Sequence, residues 1–400
     1  MSRIVTDKDK INTLLTRGVE EIIGKEELEK ALLSGEKLRI KLGIDPTSPN
    51  LHIGRAVPLL KLRDFQELGH QIVFIIGDFT GIIGDTSDKD SERPMLDTKT
   101  IKENMKTYKS QAGKILDVKK CEVEFNSKWL KKLTFDEIGE IANIFSVNEF
   151  ISRELIKKRL DEGKRVSLRE VLYPLMQGYD SVAVKADVEL GGTDQRFNLL
   201  AGRELQRHFK QIPQSIITNP LYPGLDGRKM SSSWGNTINL LDDPKEMFGK
   251  VMSLGDELLV EYFTAMTRVP LEEVEKHKTA LESGENPKTI KIELGKALVA
   301  MYHSEKEAES AAQDFENVFS NKEAPADMPV ISLDSQRLGV VELITKAGFA
   351  SSNSEARRLV EQGAVKYNNE KVQDREVVLD CQEGDVLQVG KRQFGKVSLK

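Results

Sequence analysis

Apolar residues recur along this chain at two periods, and the changes of period mark its elements. Residues 7–35 carry helical spacing in two short runs, the second stopped near Gly35. Leu38–Ile44 alternates and includes β-branched Ile40 and Ile44, which predicts a strand. From Ile53 the spacing of Val57, Leu59, Leu60, Leu62 and Phe65 predicts a helix, with Gly69 beyond its end. Gln71–Ile76 is a continuous apolar run and predicts a buried strand. Strand, turn, helix and strand over about 30 residues form a βαβ unit, for which a right-handed crossover is expected.

The pattern continues beyond this unit. A polar loop spans Asp88–Asp97, and a helix follows from Thr98 to about Leu116. Cys121–Phe125 alternates as a strand, and residues 134–163 read as two amphipathic helices inserted between the halves of the sheet. A helix carrying Tyr173–Asp180 starts or kinks at Pro174. Then come a strand from Asp187, a Gly191–Gly192 turn, a helix opening on Thr193 or Asp194 as cap, and a strand at Ser215–Thr218. After Trp234 the pattern is helical: Pro244–Ser253, Glu257–Met266, Leu271–Ser283, Pro287–Tyr302 and Glu305–Phe319. Residues 321–332, with Pro325 and Pro329, read as a linker. The last segment shows a capping box, Ser352-x-x-Glu355, a stop at Gly363, and a hairpin turning at Asn368–Asn369. The expected class is therefore α/β: a Rossmann-like parallel-sheet domain over 1–234 with a helical insertion at about 126–165, an α-helical domain over 235–330, and a small α+β domain over 336–400.

Composition narrows the picture. At 39% hydrophobic and 31% charged residues the chain is globular, not disordered. A formal net charge of −5 argues against a surface coated in nucleic acid, while leaving room for a local basic patch. Cys121 and Cys381 lie far apart and offer neither a disulfide framework nor zinc-ligand spacing, as suits a reducing cytoplasm. The first residues have no apolar signal core, and no run reaches membrane-spanning length.

Candidate chemistry gathers at strand ends. His52 and Arg55 fall where the first βαβ helix begins, beyond the carboxyl end of its strand. Free N–H groups and the positive helix dipole suit phosphate there. Gly77, Gly81 and Gly84 follow the next strand and let backbone approach a ligand. Tyr173, Gln177 and Asp180 stand at i, i+4 and i+7, a polar stripe able to hold an amino group and a hydroxyl. Each has a plainer reading: a capping histidine, tight turns, a solvated helix face. Their joint occurrence with a distant stretch, Gly227-Arg228-Lys229-Met230-Ser231-Ser232-Ser233, changes the balance.

Leu51-His52-Ile53-Gly54-Arg55 resembles the HIGH signature of class I aminoacyl-tRNA synthetases, and Arg228–Ser233 resembles their KMSKS loop. The spacing of Tyr173, Gln177 and Asp180, the run Thr80–Asp85, and Gly-Gly-Thr-Asp-Gln at 191–195 resemble the tyrosyl-tRNA synthetase family, from about residue 30 to the C-terminus. Three positions depart from that pattern: Arg55 for the second His, Ser232 for the second Lys, and Lys41 where many members carry Tyr. The resemblance implies that Tyr173, Gln177 and Asp85 hold the substrate ammonium, Asp180 takes the phenol, and Gln195 orients the carboxylate. Lys41, Gly43 and Thr80 complete the tyrosine pocket, with Lys41 against the phenol. His52, Arg55, Lys229, Ser231, Ser232 and Ser233 would face the phosphates. Asp45, Thr47, Gly54, Asp194, Arg228 and Met230 would border ATP, Asp194 taking a ribose hydroxyl. It further implies Mg2+ arriving with ATP and no dedicated metal cage, tRNA(Tyr) and L-tyrosine as partners, a homodimer through the inserted helices, and a helical domain near the anticodon. The C-terminal segment resembles a small RNA-binding module, with Arg357, Arg358 and Lys366 able to meet phosphates. Alternatives are a sibling activating another amino acid, an adenylyltransferase without tRNA, and a synthetase-derived RNA-binding protein that has lost activation.

Overall fold

The computed structural model describes residues 3–85, 95–319, 328–390 and 393–399. The chain opens with α1 (Lys8–Thr16), capped by the Asp7 carboxylate. A short strand, β1 (Glu21–Ile23), was not apparent from the sequence; α2 (Lys25–Ser34) follows and stops at left-handed Gly35. The βαβ unit is β2 (Arg39–Ile44), α3 (Ile53–Glu67) and β3 (Gln71–Ile76). Leu59, Leu62 and Phe65 of α3 are wholly buried, each worth about 1.5–3 kcal/mol of burial.

Next come α4 (Thr80–Ile83), α5 (Thr98–Ala112), β4 (Glu122–Phe125) and α6 (Ser127–Leu130). Helix α5 ends earlier than expected, its C-cap at Gly113. Residues 88–94 of the polar loop lie outside the described residues. The insertion holds three short helices where two were expected: α7 (Phe135–Ala142), α8 (Val147–Ile151) and α9 (Glu154–Asp161). The reason is local: capping boxes at Thr134/Glu137 and Ser146/Glu149 each start a new helix.

Helix α10 (Leu168–Val184) also opens on a capping box, Ser167/Glu170, so it does not start at Pro174. Pro174 lies inside it and has no N–H for the Glu170 carbonyl; Arg153 donates to that carbonyl instead, at 3.3 Å. Strand β5 (Val188–Gly192) runs through both glycines, so they are strand, not turn. A 3-10 turn at Thr193–Gln195 precedes α11 (Arg196–His208), and neither Thr193 nor Asp194 caps it. Strand β6 (Ser215–Asn219) follows.

The six strands lie in the order β1-β6-β5-β2-β3-β4, all parallel except β1, which pairs antiparallel with β6. The chain steps outward from β2 through β3 to β4, then returns beside β2 and steps the other way. The boundary between β2 and β5 is thus a topological switch point, where open α/β sheets leave a crevice beyond the strand ends.

Five helices follow within two residues of expectation: α12 (Pro244–Met252), α13 (Leu259–Met266), α14 (Leu271–Glu282), α15 (Pro287–Tyr302) and α16 (Glu305–Phe319). Residues 1–308 form one compact unit and 309–400 another. Residues 321–327 of the expected linker lie outside the described residues. Its last residues are strand, not linker: β7 (Val330–Leu333) pairs parallel with the C-terminal strand.

After β7 come β8 (Arg337–Gly339), α17 (Val340–Lys346), α18 (Asn353–Glu361), β9 (Val365–Tyr367), β10 (Glu370–Lys371), β11 (Val378–Asp380), β12 (Val386–Val389) and β13 (Gln393–Leu399). They form a five-stranded sheet, β10-β9-β12-β13-β7, and a β8–β11 pair over a core that includes Val340, Val360 and Leu387. Asn368 and Asn369 turn the hairpin at φ 49° and 67°, the pair of positive values a type I′ turn needs. The capping box there is only half formed. Ser352 accepts from Glu355 N–H, but the Glu355 carboxylate takes the N–H and hydroxyl of Ser351.

Candidate active site

A cavity of about 630 Å³ opens at the switch point. Gly43, Ile44 and Asp45 from the end of β2 and Gly191 and Gly192 from the end of β5 line it. His52 is the N-cap of α3, and its Nδ1 accepts the Arg55 N–H at 3.3 Å. With Nδ1 an acceptor, the proton sits on Nε2, which is left as a donor. Burial, with the Arg55 and Lys229 cations beside it, pushes this imidazole down to about 3, so it is neutral at physiological pH. The plain capping role and a place on the cavity wall are therefore both true of His52.

The Lys229 loop docks on this helix start. Gly54 N–H points at Met230 Sδ, 3.3 Å away. A Cβ at Gly54 would stand 3.0 Å from that sulfur, so any larger residue would push the Met230 side chain back by a few tenths of an ångström. Buried Asn236 holds the loop from inside. Its Oδ1 accepts Ser231 N–H, and its Nδ2 donates to Asp226 and to the Lys229 carbonyl. Lys229 Nζ lies 3.4 Å from Asp194 Oδ2, and Arg55 donates to Thr47 Oγ1 at 3.3 Å.

Deeper in the cavity, Tyr173 donates to Asp45 Oδ2 at 2.8 Å and Thr80 to Asp45 Oδ1 at 2.6 Å. Gly77 is required beneath them, because a Cβ there would collide with the Asp45 carboxylate. Burial, with Asp45 and Asp85 nearby, holds the Tyr173 phenol far above its ordinary value, so it remains a donor. Asp180 is buried at the far end, where Trp129 Nε1 donates to Oδ1 at 2.7 Å and Asn126 Nδ2 to Oδ2 at 3.2 Å. Burial pushes its carboxyl up to about 7, against the opposing pull of Lys41, Trp129 and Asn126. Gln195 donates to Asp85 at 2.7 Å, and Asn198 donates to both Gln177 and Gln195.

The fold thus brings His52, Gly54, Arg55, Asp45, Thr47, Gly43, Thr80, Asp85, Tyr173, Gln177, Asp180, Asp194, Gln195, Lys229, Met230, Ser231 and Ser232 to one cavity. Two expected residues are not on its wall. Lys41 is buried behind it, bonded to Glu189, Ser181 and the Gln177 carbonyl, and its charge acts on Asp180. Arg228 pairs with Asp226 and stacks over the Trp234 ring at 4.7 Å. The side chain of Ser233 lies outside the described residues. Arg357 and Arg358 are exposed on α18, and Lys366 is half-buried on β9, all within the second unit. Among the described residues no group of three or more His, Cys, Asp or Glu could hold a metal ion.

Sequence reading missed Asn126, Trp129, Asn198, Asn236 and Glu189. Asn126 carried a usable signal, because it directly follows β4 at a strand's carboxyl end. The others carried none, since a lone amide, indole or carboxylate has no spacing to read.

Comparison with known proteins places the chain in a family. The profile of the class I tRNA synthetases (W and Y) matches residues 33–320, and that of the tyrosine–tRNA ligase SYY-like C-terminal domain matches 321–394. The tyrosine–tRNA ligase of Moorella thermoacetica is 48% identical over 96% of this chain and 94% of its own, and that of Thermotoga maritima 45% over 96% of each. The chain belongs to the tyrosine–tRNA ligase family of class I tRNA synthetases. Its fold is shared with the tyrosyl-tRNA synthetase of Archaeoglobus fulgidus, solved with L-tyrosine (TM-score 0.60, 24% identity, 76% of this chain and all of that one). It is shared too with a C-terminally truncated mitochondrial tyrosyl-tRNA synthetase of Aspergillus nidulans (TM-score 0.65, 20% identity, 78% of this chain and 95% of that one).

Proposed function

We propose that this chain activates L-tyrosine with ATP and transfers it to the 3′-terminal ribose of tRNA(Tyr). The observation that carries the reading is one cavity joining the His52 helix start and the Lys229 loop to a buried acceptor, Asp180, at its far end.

In the first step a tyrosine carboxylate oxygen attacks the α-phosphorus of ATP, and the bond to the bridging oxygen breaks to release pyrophosphate. No side-chain nucleophile takes part; positioning and charge stabilisation supply the rate. Neutral His52 offers its Nε2–H, and Lys229 and Arg55 offer cations, to the phosphate oxygens as charge develops on them. The Ser231 and Ser232 hydroxyls on the cavity wall add donors. Asp194 faces a ribose hydroxyl and exchanges its Lys229 contact for it. Magnesium enters with the triphosphate as part of the substrate. On the tyrosine side, Asp85, Gln177 and Tyr173 hold the ammonium, and Gln195 orients the carboxylate. Asp180, kept in place by Trp129 and Asn126, accepts the phenol hydroxyl. Phenylalanine would forfeit that hydrogen bond to a buried acceptor. In the second step a terminal ribose hydroxyl of the tRNA attacks the adenylate carbonyl and AMP leaves.

The helices α12–α16 would lie toward the anticodon, and Arg357, Arg358 and Lys366 would meet tRNA phosphates. A homodimer through the insertion is supported by large apolar side chains exposed there, Phe135 at 91% and Val147 at 71%. No helix among the described residues is long and apolar enough to cross a membrane, and Cys121 and Cys381 are free, as suits a cytoplasmic protein.

ATP–pyrophosphate exchange, run separately with tyrosine, phenylalanine and tryptophan, tests the reading. Exchange with tyrosine alone is expected. Exchange with another amino acid overturns the specificity, and none at all from a folded chain favours an RNA-binding protein without activation.

A further inference from the structure

Lys41 and Glu189 touch no substrate in the reaction above, yet both charged side chains are buried, at 0% and 1% exposure. They are register partners on adjacent parallel strands, β2 and β5, directly behind the cavity. Lys41 Nζ meets Glu189 Oε1 at 2.7 Å, Ser181 Oγ at 2.8 Å and the Gln177 carbonyl at 3.0 Å, one acceptor for each ammonium proton. The other carboxylate oxygen, Oε2, accepts from Ser181 and Gln214. Stability is a weak reason for such a pair, because well-packed apolar residues of similar volume commonly replace one without loss.

What the pair does differently from an apolar one is impose polarity on its neighbours. An ionised carboxylate only accepts, so Gln177 turns its Nε2 toward Glu189 Oε1, at 3.4 Å. The Gln177 Oε1 is thereby turned outward, where Asn198 Nδ2 donates to it at 3.0 Å. The same Nδ2 donates to Gln195 Oε1 at 3.1 Å, which leaves Gln195 Nε2 to donate to Asp85 at 2.7 Å. The donor and acceptor order of Gln177 follows from one buried charge, and that of Gln195 from two partners, Asn198 and the Asp85 carboxylate.

We propose that Lys41 and Glu189 are positioning residues for the amino acid: the pair sets which atom of Gln177 faces the tyrosine, and Asn198 ties that glutamine to Gln195, whose own sense the Asp85 carboxylate fixes. This rests on the reading that those two glutamines hold tyrosine.

The test is tyrosine-dependent ATP–pyrophosphate exchange on the full chain, with melting temperatures alongside. Glu189→Gln keeps the volume but can donate as well as accept, so Gln177 loses its fixed sense. The tyrosine KM should rise about tenfold, the worth of one misaligned buried hydrogen bond. The kcat and the ATP KM should stay within about twofold, since the relay ends on the tyrosine side. The double variant Lys41→Met/Glu189→Met should still show the raised tyrosine KM, its melting temperature lowered by the partners that Ser181, Gln214 and the Gln177 carbonyl lose. A double variant with a wild-type tyrosine KM overturns the proposal, because the pair is then replaceable packing. If the double variant does not fold, Glu189→Gln alone decides, and an unchanged tyrosine KM overturns the proposal. Wild-type chain without tyrosine-dependent exchange overturns the functional reading and the pair's role with it. Normal wild-type exchange beside unaltered variants overturns only the pair's role.

Discussion

His52 and Asp180 are buried ionisable groups tuned in opposite senses. The His52 imidazole, pushed down to about 3, cannot charge between pH 5 and 8, so no step in the kcat profile over that range should belong to it. His52→Ala removes the Nε2 donor, and kcat for exchange should fall about a hundredfold with little change in the tyrosine KM. Asp180 titrates near 7 in the folded chain, above its ordinary value near 3.8. Below about pH 7 it gains a proton and becomes a weaker acceptor, so kcat/KM for tyrosine should fall toward about tenfold per pH unit. The same displacement means the ionised carboxylate costs stability increasingly as pH rises from about 4 to about 7. Asp180→Asn should therefore melt higher than wild type at pH 8, lose the acidic limb of the profile, and give up about 2–3 kcal/mol of tyrosine-over-phenylalanine preference. An unchanged preference in competitive exchange would remove Asp180 from the phenol site.

Elements carry the site through their ends more than their lengths. Strand β2 and helix α3 could be read to within a residue, because alternation gives way to helical spacing across a single turn. The insertion could not, because two capping boxes open α7 and α8 while α9 begins at Arg153 with no side-chain cap to mark it. Its exposed Phe135 and Val147 make a specific expectation. Phe135→Asp/Val147→Asp should shift sedimentation from dimer to monomer, and an unchanged dimer would move the interface elsewhere. The Lys229 loop depends on one buried amide. Asn236→Ala removes bonds to Ser231, Asp226 and Lys229, so exchange should drop at least about tenfold, for about 1–3 kcal/mol of stability. Activity retained at the same melting temperature would show that the loop is held otherwise.

At the scale of the molecule, the residues that line the cavity belong to the first compact unit, and Arg357, Arg358 and Lys366 to the second. Deleting residues 321–400 should leave tyrosine-dependent exchange within about twofold of the full chain while tRNA aminoacylation falls by at least about tenfold through lost phosphate contacts. Exchange lost from a folded truncation would refute that division of labour.

Local pattern alone was enough for the class of the fold, the helix that begins at His52, the polar stripe on α10 and the Asn368–Asn369 hairpin, because propensity, periodicity and turn chemistry act over a few residues. Motif spacing was enough to connect residues 51–55 with residues 228–233 across the chain. Only the tertiary structure decided what lies beside what. Strand register put Lys41 against Glu189, and the end of β4 put Asn126 and Trp129 on Asp180. Burial then set the charge of His52 and of Asp180. Pairing across a sheet and exclusion of water depend on residues far apart in sequence, and a linear pattern holds no record of either.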